Sequence, residues 1–163
     1  MQTSEFQKPY FMVYDTETNG LPKNYNGSVE DSENWPRLSQ LSYEIYDANK
    51  KLIKSINTFI KPNGWVFPDE KFFNENANIN NNIDYGIELI DAINEFIADR
   101  LECEFAICHN VSFDSKIIRA EMFRLGINQE FESVKICTMS NAFVVSYCGL
   151  PKKKTEALES GRH

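Results

Sequence analysis

The chain has 163 residues, 42% hydrophobic and 25% charged, with a formal net charge of −7, which suits a single globular domain able to bury a core. The acidic balance argues against a broad, nonspecific grip on nucleic acid through a basic face, and no apolar run approaches the roughly 20 residues needed to cross a bilayer. The N-terminus, Met1 to Lys8, carries no basic-then-apolar export signal, and Cys103, Cys108, Cys137 and Cys148 lack C-x-x-C spacing, so the expectation is buried, reduced thiols in a cytoplasmic protein rather than a zinc site.

Residues 1–8 read as a loose start. An apolar run rich in strand formers then predicts a first strand over residues 9–17, and Asn19-Gly20 breaks it. Residues 19–36 are dense in turn formers and predict a long loop beside the end of that strand. Arg37 to Tyr46 predicts a second strand with Leu41, Tyr43 and Ile45 on one face. Asp47 to Lys50 is a turn, and Lys51 to Ile60 predicts a third strand with Ile56, Thr58 and Ile60 on one face. The two make an antiparallel hairpin. Residues 65–85 are asparagine-rich and carry no functional assignment.

Gly86 to Leu101 has helical apolar spacing at positions 89, 90, 93, 96, 97 and 101. Glu104 to Cys108 predicts a fourth strand, and the crossover helix before it implies parallel pairing with the first. Ser112 is placed as the N-cap of a helix over Phe113 to Leu125, ended by Gly126. Val134 to Cys137 predicts a fifth strand, and Thr138 a cap for a last helix containing Ala142, Phe143 and Val144. The order β-β-β-α-β-α-β-α predicts an α/β protein, a mixed five-stranded sheet with flanking helices.

The first strand ends on Asp15 and Glu17, spaced i, i+2. Strand side chains alternate, so both carboxylates face the same way, about 6–7 Å apart. Two like charges at the end of a buried strand repel, and a hard divalent cation such as Mg2+ or Mn2+ between them suits their oxygen ligands. The plainer alternative is a strand end with two solvated acids. Asp114 falls in the first turn of a predicted helix, where the helix dipole favours an anion whatever its function. Asn110 can simply end a strand, His109 can satisfy a buried hydrogen bond, and Phe113 fits core packing better than base stacking. The basic run Lys152 to Lys154 reads as a solvated loop more readily than as a substrate contact.

Two stretches carry a family resemblance. Asp15-Thr-Glu17-Thr-Asn-Gly-Leu21 fits the pattern D-x-E-T-[TN]-G-L, and His109-Asn-Val-Ser-Phe-Asp114 fits H-N-x-x-F-D. Together, about a hundred residues apart, they resemble the first two motifs of the DnaQ-like DEDD 3′–5′ exonucleases, in the DEDDh branch. The resemblance covers residues 8–140. It implies the RNase H-like fold and hydrolysis of phosphodiesters at single-stranded DNA or RNA 3′ ends with two Mg2+ or Mn2+ ions, releasing nucleoside 5′-monophosphates. It also implies that Asp15, Glu17 and Asp114 hold the metals. Leu21 would pack on the terminal bases, Thr16 and Thr18 would contact the terminal nucleotide, and His109, Asn110 and Phe113 would shape the pocket. A DNA polymerase is a partner that such proteins imply.

The family's third motif, H-x-(4)-D or Y-x-(3)-D, is missing. After Asp114 the acidic residues are Glu121, Glu130, Glu132, Glu156 and Glu159, with no aspartate. The expectation is one exonuclease-like domain over residues 1–163, truncated at its C-terminus, with the general base unassigned and His163 its candidate. The competing reading is an exonuclease-like module of weak or no activity that binds nucleic acid ends or a protein. A haloacid-dehalogenase-type phosphatase is disfavoured, because its D-x-D-x-T strand end wants an aspartate at position 17 and gives His109 to Asp114 no place. The choice between DNA and RNA and the oligomeric state stay open.

Overall fold

The structure is a computed structural model that describes residues 8–66, 86–131 and 134–148. Five strands form one sheet: β1 (Phe11–Thr18), β2 (Leu38–Tyr46), β3 (Leu52–Phe59), β4 (Phe105–Cys108) and β5 (Val134–Cys137). Their order is β3-β2-β1-β4-β5. β1 and β2, and β2 and β3, pair antiparallel, whereas β4 runs parallel to both β1 and β5. The helices are α1 (Leu89–Leu101), α2 (Val111–Arg124) and α3 (Ala142–Tyr147). The predicted α/β class, the hairpin and the parallel β1–β4 pair are all present.

Period-two alternation decides which way each strand faces. Along β1, Met12, Tyr14 and Thr16 are buried while Val13, Asp15 and Glu17 are exposed. Leu41, Tyr43 and Ile45 of β2 continue the buried face. α1 supplies Ile93, Phe96 and Ile97, and α2 supplies Ile117 and Ile118, to the same core. Phe96 is its hub. Its ring makes edge contacts with Tyr14 at 5.4 Å, Tyr43 at 5.6 Å and Phe131 at 6.0 Å, the offset geometry that aromatic quadrupoles favour.

Three boundaries differ from the sequence reading, each for a local reason. α1 starts at Leu89 rather than Gly86, because Ile87 forms a bridge to Ile60. A Cβ on Gly86 would lie 2.8 Å from the Lys61 backbone nitrogen, so only glycine admits that approach. α2 starts at Val111, ahead of Ser112, because Asn110 turns the chain in the left-handed region with φ 68° and ψ 47°, which asparagine tolerates. α3 is capped by Asn141, whose side chain accepts from the Phe143 and Val144 amides, and not by Thr138. All four cysteines are free, but only Cys103 and Cys108 are buried; Cys148 is exposed, against expectation.

The 19–36 loop is tied down by its own polar groups. Asn34 accepts from the Asn24 amide at 2.7 Å and donates to the Asn24 carbonyl at 2.9 Å. Trp35 is buried and its indole donates to the Ser28 carbonyl at 2.8 Å. Among the described residues, no helix is long and apolar enough to cross a membrane.

Candidate active site

The C-terminal end of β1, the C-terminal end of β4 and the first turn of α2 meet at one place. Parallel pairing puts Val13 opposite Ile107, so β4 ends one residue later, just short of Asp15, while β1 runs on to Thr18. The tight β4–α2 turn through Asn110 then brings Asp114 back over the end of β1. The hydroxyls of Tyr14 and Ser115 share a hydrogen bond of 3.0 Å that fastens β1 to α2 beside it.

Asp114 is only 2% exposed and is held by three donors. The Thr16 amide donates to Oδ1 at 3.0 Å and the Thr16 hydroxyl donates to the same oxygen at 2.7 Å. The Cys108 thiol donates to Oδ2 at 3.0 Å. One ligand atom each from Asp15, Cys108 and Asp114 lie within 4.8 Å of one another. Glu17, on the same exposed face as Asp15, is outside that tight group.

The electrostatics mark a site crowded with negative charge. Burial, and then the Asp114 charge, push the Asp15 carboxyl up from its ordinary value, partly relieved by His109. Glu17 is raised by burial and by the charges of Asp15 and Asp114. Burial and the bond to Asp114 hold the Cys108 thiol far above its usual range, so it is a neutral donor. Cys137, its register partner on β5, behaves oppositely: burial works to raise it, but hydrogen bonds from Ser140 and from the Val111, Ser140 and Met139 backbones bring it down to about 7.

The other sequence-derived residues fall around this cluster. Thr18 donates to the Gly20 carbonyl at 2.7 Å. Leu21 projects outward, 75% exposed. His109 is exposed, and its Nδ1 shares a hydrogen bond of 3.0 Å with the Thr138 hydroxyl. Asn110 makes no side-chain cap. Phe113 packs against the core and lies 6.3 Å from the Tyr25 ring. His163, Lys152 to Lys154 and most of the asparagine-rich segment lie outside the described residues. Sequence reasoning missed two roles. Cys108, expected as a buried reduced thiol, and Thr16 both bond Asp114, contacts the sequence reading did not give, because alternation along β1 and β4 puts both on the core side.

The sheet order and the parallel strands at its centre make this an RNase H-like fold, which the chain shares with solved structures of E. coli Exonuclease I. The complex with a dT13 oligonucleotide superposes with a TM-score of 0.57 at 13% identity, over 79% of this chain and 28% of that one. The complex with a dA16 oligonucleotide gives 0.58 at the same identity and coverage. The complex with SSB-Ct gives 0.59 at 13% identity, over 82% and 29%. The chain therefore spans less than a third of Exonuclease I, and at this identity the likeness is one of fold. No protein-family model and no curated protein sequence matches the chain.

Proposed function

We propose that this chain is a metal-dependent 3′–5′ exonuclease that hydrolyses phosphodiesters at single-stranded nucleic acid ends and releases nucleoside 5′-monophosphates. One observation carries the reading: Asp15 and Asp114, a hundred residues apart in sequence, converge with ligand atoms inside 4.8 Å at a strand end of an RNase H-like sheet. Its context is the likeness in fold to Exonuclease I, whose structures hold dT13 and dA16 oligonucleotides.

The donor set fits a hard divalent cation. It includes the carboxylates of Asp15 and Glu17, whose pKa values are raised first by burial and then by neighbouring acids, a strain that a bound cation relieves. Asp15, Glu17 and Asp114 would hold two Mg2+ or Mn2+ ions. When bound, such ions neutralise the phosphate, make water nucleophilic and stabilise the leaving 3′ oxygen. The chain's own residues do the rest. Thr16 spends both its donors on Asp114, so its part is to hold that carboxylate in place. Leu21 offers an exposed apolar surface to the terminal bases, and Thr18, His109, Asn110 and Phe113 frame the terminal nucleotide. The third motif of the resemblance is missing from the sequence and the general base is unassigned; its candidate, His163, lies outside the described residues.

The test is shortening of 5′-labelled single-stranded DNA and RNA with Mn2+, with Mg2+ and with chelator, beside Asp15→Ala. Stepwise loss from the 3′ end that needs metal and vanishes in the variant is the expected outcome, and it reports which sugar is preferred. Oligonucleotide binding with no cleavage under any metal would replace the enzyme reading by that of an end-binding module.

A further inference from the structure

We propose that Cys108 is a positioning residue that sets how tightly the site takes up its cation, by occupying one acceptor position on Asp114 Oδ2 with its S–H. This rests on the metal-site reading above and concerns a residue that the motif patterns leave unassigned.

The argument is a count of acceptor positions on one buried carboxylate. An ionised carboxylate offers about four. Thr16 fills two on Oδ1, through its amide at 3.0 Å and its hydroxyl at 2.7 Å. The Cys108 thiol fills one on Oδ2 at 3.0 Å. Only Oδ2 has a position left, so a cation that approaches Asp114 meets it at the oxygen the thiol holds. Cys108 is 1% exposed and Asp114 2%, so water does not readily stand in for the thiol. A thiol is a weak donor. It satisfies a buried charge in the metal-free protein, where an unpaired acceptor would be costly, yet it competes less with a cation than a hydroxyl would. Metal-free stability and metal affinity are thus opposed at this one atom.

Direct Mn2+ binding by calorimetry, with thermal unfolding in the presence and absence of Mn2+, tests this on the full chain. The proteins compared are wild type, Cys108→Ala, Cys108→Ser and Asp15→Ala. Cys108→Ala is expected to melt lower without metal, to bind Mn2+ about three- to tenfold more tightly, and to gain more from Mn2+ than wild type does. Cys108→Ser keeps a donor and is expected to bind as wild type or up to about tenfold more weakly. A thiol that only fills space predicts equal losses with and without Mn2+ and unchanged affinity, which would overturn the proposal. So would weaker binding by Cys108→Ala, which would make the sulfur itself a ligand. Mn2+ binding that is lost in Asp15→Ala but identical across the Cys108 variants sinks this inference alone. A folded wild-type chain that takes up no Mn2+ sinks the metal-site reading beneath it.

Discussion

Asp15 and Glu17 owe their shared face to nothing more than strand periodicity, yet that spacing has a measurable consequence. Both carboxyls are pushed above their ordinary values of 3.8 and 4.5. The folded chain therefore keeps their protons to higher pH than the unfolded chain does. Stability falls as pH rises from those ordinary values through the raised ones, and the penalty persists at neutral pH. Asp15→Asn, which removes one charge at constant shape, should raise the metal-free melting temperature at pH 7 by about 1–2 °C, a figure discounted for solvent screening. Below about pH 3, where Asp15 is protonated in both states, the difference should vanish. A melting temperature unchanged or lowered at pH 7 would show that the clustered charge is already compensated. Asn110 makes a second residue-scale case. Its φ of 68° suits asparagine or glycine, so Asn110→Ala should cost about 1 kcal/mol and Asn110→Gly little, as read by urea denaturation.

At the scale of elements, the joint between the 19–36 loop and α2 depends on one buried acid. Glu121 is fully buried. It accepts from Arg37 Nε at 2.9 Å and from the Leu38 amide at 2.8 Å, and it pairs with Arg124 at 3.1 Å. Arg124 also reaches back to the carbonyls of Ser32, Trp35 and Pro36. Lys116 adds a bond to the Tyr25 carbonyl at 2.7 Å. The loop that carries Leu21 is thereby anchored to the helix that carries Asp114. Glu121→Ala would take the carboxylate partner from Arg37 and Arg124 and leave the buried Leu38 amide without its acceptor, and removing one partner of a buried pair costs about 3–5 kcal/mol. The expected result is that loss in denaturant unfolding, with faster proteolysis inside residues 19–36. Loss of stability without faster cleavage there would mean the loop is held by its own Asn24–Asn34 and Trp35–Ser28 bonds.

For the whole molecule, net charge decides the style of binding. A chain of net charge −7 has few unopposed cations with which to release counterions from a nucleic acid backbone. Its affinity for a single-stranded oligonucleotide should fall only shallowly with salt, with a log–log slope no steeper than about −2, two phosphates' worth. Affinity should depend instead on the divalent cation at the end site. Fluorescence anisotropy across a salt series, with Ca2+ in place of Mg2+ to hold cleavage in check, reads both effects. A steep slope would reveal a basic track that overall composition conceals.

The sequence alone determined the architecture, because strand alternation, helical spacing and turn residues are local signals. β1 to β5, the hairpin and the parallel β1–β4 pair could all be read from it, and the two motif stretches pointed to Asp15, Glu17 and Asp114. Helix starts were legible only to within two or three residues, since Gly86 and Asn110 are set by close backbone approach and a left-handed turn, which composition does not reveal. Only the tertiary structure decided what Asp114 touches. That Thr16 gives it both donors, that Cys108 holds its other oxygen, and that Glu121 ties the loop to α2 are contacts between segments roughly 100 residues apart or reached around a tight turn. Partners of this kind are set by how strands and helices pack in space, and no local pattern in the chain encodes them.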